Sequence, residues 1–199
     1  MGHRLSRAAI SACVLAAGTS TRFGATKLVQ HLRGKPLVQH ALLAAQGACK
    51  GRVTLVVGHD ADAVVAASAD LSDSIVINRK HQQGIGTSIS AGVQACRDGA
   101  DAILIILADQ PLVTATHLND LIEHWSGADN EVVASSFDGV ISPPILFPKN
   151  AFDELCKSGG DTGAKGILSN DKLHVRSIEF PPAQKDVDTP EDLKDLAQD

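Results

Sequence analysis

Residues 11–17, Ser-Ala-Cys-Val-Leu-Ala-Ala, form an almost wholly apolar run that stops abruptly at Gly18-Thr19-Ser20-Thr21-Arg22-Phe23-Gly24-Ala25-Thr26-Lys27. A short run that is apolar at every position reads as a strand buried on both faces, which is the usual condition of a parallel sheet covered by helices. The loop after it combines glycines, hydroxyls, an arginine and a lysine. Backbone N–H groups in such a loop can wrap a polyphosphate while Arg22 and Lys27 neutralise its charge. One segment therefore points both to a fold class and to a ligand class: a nucleotide held beyond the end of a buried strand, with chemistry at phosphorus.

The rest of the chain fits that frame. Further apolar runs at 53–58, 74–78 and 101–108 read as strands, and helix-period segments at 36–48, 61–69, 86–97 and 115–126 lie between them. The alternation predicts an α/β fold: a single-domain, Rossmann-like, mostly parallel sheet with helices on both faces. Ligands of such sheets bind beyond the carboxyl ends of the strands, which places 16–27, 58–60 and 108–111 on one rim. In the final third, 131–137 and 140–147 flank Asp138-Gly139 as a hairpin. Pro143-Pro144 predicts that this hairpin lies at a sheet edge or in an irregular segment. Two short helices, a strand at 173–180 and a terminal helix from Pro190 follow. With no composition break, linker or repeat, 1–199 reads as one domain, with a nucleotide-binding half at about 11–112 and an acceptor or lid half at about 113–199.

Composition narrows the function. A chain of 199 residues with 44% hydrophobic and 21% charged residues can build a substantial core. A net charge of −5, 3% aromatics and no basic tract argue against nucleic acid as a partner. Cys13, Cys49, Cys96 and Cys156 are scattered, with no Cys-x-x-Cys, so they read as free thiols in a reducing compartment. His117 and His124 share a face of a predicted helix, but two histidines alone make a poor metal site. Arg4 and Arg7 ahead of 8–17 resemble a short signal peptide, and the first six residues fit a loose myristoylation pattern. Cleavage there would remove the strand that carries the phosphate loop, and no run reaches the ~20 apolar residues of a membrane span, so a cytoplasmic protein is expected.

Two familiar phosphate loops fail on spacing. A Walker loop needs four residues between its glycines and a lysine directly after the second, whereas Gly18 and Gly24 have five between them and Lys27 is not adjacent. The chain's Gly-x-Gly, Gly84-Ile85-Gly86, has Ile89 where a dinucleotide fingerprint needs its third glycine, and it lies far from the first strand.

Asp109 follows the aliphatic run 103–107 and precedes Gln110-Pro111. A carboxylate at the mouth of a parallel strand is well placed to hold Mg²⁺ against phosphates, although an aspartate before a turn also commonly bonds its own backbone. In Asp186-Val187-Asp188-Thr189-Pro190-Glu191-Asp192-Leu193, Thr189 and Pro190 read as a helix start with acids in its first turn. Asp186 and Asp188 precede that cap and, at period two, point the same way from an extended segment, so with Asp109 they are candidate metal ligands. Gly84 to Gly92 opens a helix whose N–H groups and hydroxyls can read a base or ribose, or simply cap its first turn. Gly159 to Gly166 can hold a second anionic group, with Thr162 or Asp161 as cap and Lys165 as counter-charge, or serve as a plain connection.

Together these segments resemble the MobA-like nucleotidyltransferases, most closely the molybdenum cofactor cytidylyltransferase branch. The likeness rests on Leu-Ala-Ala-Gly-x-Ser-x-Arg-x-Gly-x-x-Lys-Leu at 15–28, Gly-Lys-Pro-Leu at 34–37 and Gly-x-Gly-x-Ser at 84–88. It continues in Ala-Asp-Gln-Pro-Leu at 108–112, Gly-Asp-x-Gly-Ala at 160–164 and Asp-Val-Asp-Thr-Pro-Glu-Asp-Leu at 186–193. It implies a nucleotide-diphospho-sugar transferase type of fold and transfer of CMP from CTP to the phosphate of molybdopterin, with release of pyrophosphate and Mg²⁺ as cofactor. It assigns nucleotide binding to Leu15, Ala16, Ala17, Gly18, Ser20, Arg22, Gly24, Lys27, Gly86, Ser88 and Asp109, with Arg22, Lys27 and Asp109 catalytic. Acceptor binding falls to Gly160, Asp161, Gly163 and Lys165, and the metal to Asp109, Asp186 and Asp188. Guanylyl relatives usually carry Leu-Ala-Gly-Gly, so the methyl of Ala17 favours the smaller base. The chain departs from the family's pattern at Asn78-Arg79-Lys80-His81, at Lys165 in place of arginine and at Ser142-Pro143, all on or near the acceptor side.

Other readings keep the fold and change the chemistry: guanylyl transfer, a sugar or alditol phosphate acceptor, or a non-catalytic protein that carries cofactor to a molybdenum hydroxylase. A hydride-transfer enzyme lacks its fingerprint.

Overall fold

The computed structural model describes residues 8–161, 163–169 and 171–198, with the Lys165 side chain outside that description. Among the described residues nine strands run in the order β1 Ile10–Ala16, β2 His31–Leu32, β3 Lys35–Pro36, β4 Val53–Val57, β5 Ser74–Ile77, β6 Ala102–Leu107, β7 Glu131–Phe137, β8 Val140–Pro148 and β9 His174–Glu179. The α-helices are α1 Leu37–Ala48, α2 Ala61–Ala67, α3 Ile85–Cys96, α4 Ala115–His124, α5 Phe152–Leu155, α6 Lys165–Leu168 and α7 Pro190–Gln198.

Seven strands form one sheet in the order β5-β4-β1-β6-β8-β7-β9, and β2 pairs with β3 in a separate ribbon. Within the large sheet β8 alone runs antiparallel to its neighbours. The mostly parallel sheet expected from the apolar runs is therefore present, with β1 near its middle, paired to β4 and β6.

Alternation along β1 feeds a core on each face. Ala12, Val14 and Ala16 pack with Leu37, Val38, Leu42 and Leu118 from α1 and α4. Cys13 and Leu15 pack on the other face with Ile89 and Val93 of α3 and with Phe152 and Leu155 of α5. Each fully buried branched side chain contributes roughly 1.5–3 kcal/mol, so β1 is held from both sides and its carboxyl end is a rigid platform. Helix α4 begins at a Thr114 cap, whose hydroxyl accepts the His117 N–H at 3.3 Å. No helix among the described residues is long and apolar enough to cross a membrane.

Of the two placements expected for Pro143-Pro144, the irregular segment is the one present: β8 lies between β6 and β7, not at an edge. Its ladder with β6 stops at Ile105↔Ile145, and its ladder with β7 passes from Ala134↔Ile145 to Ser135↔Ser142. The two prolines occupy the irregularity between those registers, beyond the end of the β6 pairing, so neither is asked for a ladder N–H.

Candidate active site

The chain leaves β1 at Ala16 and folds back on itself before the 3₁₀ turn Lys27–Val29. Ser20 takes a left-handed backbone, as does Gly24, and the N–H groups of Phe23 and Gly24 both donate to the Ser20 carbonyl, at 3.0 and 3.2 Å. The Ser20 hydroxyl accepts the Lys27 N–H at 3.4 Å. Thr26 donates its hydroxyl to Asp60, the residue just before α2 and beyond β4, so the loop is anchored to the neighbouring strand end. Gly18 is exposed, and a Cβ there would meet nothing within 4 Å. The loop encloses a cavity of about 190 Å³ lined by Leu15, Ala16, Gly18, Ser20, Arg22, Lys27, Asp109 and Asp188, among others.

Lys27 is the centre of this cavity's electrostatics. Its side chain is 10% exposed, and its Nζ lies 2.7 Å from Asp109 Oδ2 and 3.0 Å from Asp188 Oδ1. Burial opposes its charge more strongly than any other single effect, but Asp109 and then Asp188 outweigh it, so its pKa is raised. Arg22, 74% exposed, reaches Asp188 Oδ2 at 2.8 Å. The phosphate loop, the mouth of β6 and the segment before α7 thus meet in one chain of ion pairs.

The tail is fixed to the β6 mouth by backbone. The Val187 N–H donates to the Asp109 carbonyl at 2.9 Å, and the Val187 side chain is fully buried. Asp192 accepts the N–H groups of Asp188 and Thr189, at 2.9 and 2.7 Å, while Thr189 caps Asp192 in return. Here the sequence reading needs revision: Asp186 and Asp188 do not serve one cavity. Asp188 lines the loop's cavity and Asp186 a second cavity beside it, near enough for Asp109, Asp188 and Lys27 to act on its charge. Although Asp186 keeps much surface open, desolvation pushes its carboxyl up to about 6, helped by Asp109 and Asp188 and opposed by Gln110 and Lys27.

Among the described residues no three His, Cys, Asp or Glu side chains form a self-sufficient metal cage. Asp109 and Asp188 do meet around one ammonium, and both are hard oxygen donors. A pair of carboxylates completed by substrate phosphates is the usual way a protein holds Mg²⁺, so the residues fit that ion.

The second cavity, about 370 Å³, has a mostly apolar lining that includes Leu15, Ile89, Leu107, Phe137, Ile141 and Pro143, together with Asp161, Gly163 and Asp186. Leu15 lines both cavities. The two glycine-rich segments singled out in the sequence come together here. The Gly86 N–H donates to the Gly160 carbonyl at 3.0 Å. A Cβ on Gly84 would lie 2.3 Å from the Gly160 backbone, and one on Gly86 would lie 2.7 Å from that of Gly159. Ser88 is buried and accepts a hydrogen bond from Asn78 at 2.9 Å, and neither it nor Gly86 lines the phosphate cavity. The proposed Thr162 cap and Lys165 counter-charge lie outside the described residues and side chains. Sequence reasoning missed Gln110, which donates to the Ala183 carbonyl at 3.0 Å, and the apolar wall from β7 and β8, whose pattern is that of any buried strand.

A mostly parallel sheet with a cationic, carboxylate-bridged phosphate loop at its carboxyl rim is the framework of a nucleotidyltransferase. Comparison with known proteins agrees. Residues 12–176 match the MobA-like NTP transferase domain. The chain belongs to that family. It is 31% identical over 189 residues to the purine catabolism protein PucB of Bacillus subtilis, covering 89% of this chain and 91% of that one. It is 34% identical over 131 residues to the bifunctional protein GlmU of Agrobacterium fabrum, of which it spans 29%. Among solved structures, Rv0371c from Mycobacterium tuberculosis H37Rv superposes with a TM-score of 0.80 at 26% identity, covering 96% of this chain and 98% of that one. That protein also has a structure in complex with manganese, at a TM-score of 0.76 and 26% identity, covering 95% of this chain and 98% of that one.

Proposed function

We propose that this nucleotidyltransferase moves CMP from CTP to the terminal phosphate of molybdopterin, releases pyrophosphate and uses Mg²⁺, acting in the cytoplasm. The observation that carries this reading is the adjacency of the two cavities across Leu15. One presents cations and carboxylates suited to a triphosphate. The other offers a mostly apolar slot suited to a flat ring system, with Asp161 and Asp186 in its lining. An α-phosphorus in the first is then within reach of an acceptor oxygen from the second, and proximity of this kind supplies much of the rate in phosphoryl transfer.

The chemistry needs no protein nucleophile. An acceptor phosphate oxygen attacks the α-phosphorus in line, forming the new P–O bond as the bond to pyrophosphate breaks. Arg22 and Lys27 stabilise the charge that grows on the leaving group, while Gly18, Ser20 and Gly24 shape the loop N–H groups that position it. Asp109 and Asp188 hold the metal, with Asp186 facing the acceptor. Held there, Mg²⁺ would supply positive charge against the phosphates. Gly86 and Ser88 frame the nucleoside end, and Gly160, Asp161, Gly163 and Lys165 the acceptor. The preference for cytosine rests on the resemblance, in which Ala17 stands where guanylyl relatives usually carry glycine. A relative named for purine catabolism is compatible with a molybdenum hydroxylase as recipient of the finished cofactor.

The test is pyrophosphate release from CTP or GTP in the presence of molybdopterin and Mg²⁺. Turnover with CTP well above that with GTP is expected. Preference for GTP would move the protein to guanylyl transfer, and release only with sugar or alditol phosphates would refute the assigned acceptor.

A further inference from the structure

His117 is buried on α4, 4% exposed, and lines neither cavity. It nevertheless touches both segments that wall the apolar one. Its Nε2 lies 2.7 Å from Ser135 Oγ, and Ser135 Oγ donates to the Pro144 carbonyl at 3.0 Å. Ser135 has one hydroxyl proton, and a carbonyl can only accept, so that proton belongs to Pro144 and the imidazole must donate. The chain is Nε2–H to Ser135 and Ser135 to Pro144, which fixes the Nε2–H tautomer of a neutral ring. Burial holds the imidazole neutral by pushing its pKa down to about 4, against a small opposing effect of Asp120.

On its face, the His117 ring stacks on Phe180, with centroids 3.6 Å apart and planes at 7°. Phe180 donates its N–H to Ser136 and leads into the 3₁₀ turn Pro181–Gln184. The Ala183 carbonyl of that turn accepts from Gln110 at 3.0 Å and from Ser142 at 3.4 Å. Ser142 and Pro143 from the first of these segments, and Ala183 and Gln184 from the second, line the apolar cavity. The β7–β8 irregularity has no ladder hydrogen bonds of its own to fix Pro143-Pro144.

We propose that His117 is a positioning residue for the acceptor cavity, setting one wall through Ser135 and the Pro144 carbonyl and the other through its stack on Phe180. The shape of the cavity follows from the contacts alone; its role in acceptor affinity rests on the function proposed above.

The substitutions separate the two contacts. H117F keeps an aromatic ring against Phe180 and removes the donor; H117Q restores a donor without the ring. In methyl NMR of the whole protein, H117F shifts the resonances of Ile141, Ile145 and Ala183 and leaves those of Ala16 and Ala17 in place. With molybdopterin as the probe, H117F raises its KM about tenfold, the factor that one net hydrogen bond represents, with the KM for CTP within twofold. H117Q recovers most of that loss, and S135A reproduces H117F. Unmoved Ile141 and Ala183 methyls in H117F, or an equal rise in both KM values, would overturn the proposal. A wild-type protein that ignores molybdopterin refutes the assigned acceptor instead, and the methyl shifts still decide whether His117 sets the cavity.

Discussion

The burial of a neutral His117 ties the stability of this protein to pH, and the size of the effect can be worked out. In the unfolded chain the imidazole titrates near its ordinary value of 6.5, and in the folded protein near about 4. The folded value is lowered, so below pH 6.5 the unfolded state binds the extra proton and stability falls as pH drops. The loss stops once the folded protein also takes up the proton, below about 4. At about 1.4 kcal/mol per pH unit the full loss is about 3 kcal/mol, of which about 2 kcal/mol has gone by pH 4.5. Urea unfolding at pH 7 and 4.5, followed by the fluorescence of Trp125, the chain's one tryptophan, measures it. Carboxylates elsewhere titrate over the same range, so the informative quantity is the wild-type stability minus that of H117F, in which only this imidazole is missing. That difference should shrink by about 2 kcal/mol on going to pH 4.5. A difference that stays constant would show that His117 is not a buried neutral group, and the tautomer argument would fall with it.

Three other outcomes follow from the site. K27M should slow pyrophosphate release about a hundredfold or more in a single-turnover assay, because it removes a preorganised cation from the developing charge. D109A should lose a similar factor, and chelation with EDTA should abolish wild-type turnover until Mg²⁺ is returned; activity that persists in EDTA would refute a metal role for the carboxylates. G84A should lower the melting temperature, since its methyl would meet the Gly160 backbone at 2.3 Å from a glycine at φ +104, an overpacking cost of about 1–3 kcal/mol at least.

The sequence was most legible where local chemistry and tertiary role coincide. The apolar run at 11–17 could be read because a strand covered on both faces needs apolar residues at every position, and the loop after it because phosphate binding needs small, hydroxylated and cationic residues in sequence. Asp109 could be placed at the rim by its position after an aliphatic strand. Asp186 and Asp188 could be placed on an extended segment, but not in the linings of two different cavities, since the anchoring of Val187 on the Asp109 carbonyl is a long-range fact. Pro143-Pro144 left an edge and an irregular segment both open for a related reason. Proline reports that a residue gives no ladder N–H, and a local irregularity inside a sheet satisfies that as well as an edge does. His117 was read only as half of a poor metal pair, because its partners Ser135 and Phe180 lie 18 and 63 residues away.

The ion pairs around Lys27 show how a site built for a highly charged ligand is compatible with a folded protein. Two carboxylates and an ammonium packed at 2.7 and 3.0 Å would be costly if any one lacked a partner, because each has given up water. Here Lys27 answers Asp109 and Asp188 together, and Arg22 takes the second oxygen of Asp188, so two positive and two negative charges balance within one constellation. A triphosphate competes for the same two cations that hold the carboxylates. On the function proposed above, its oxygens would draw Arg22 and Lys27 away, leaving Asp109 and Asp188 facing each other for a divalent cation to relieve. Nucleotide and metal would then favour each other's binding through Lys27, and the four side chains that balance one another in the free protein would be the ones that meet the charge demands of catalysis.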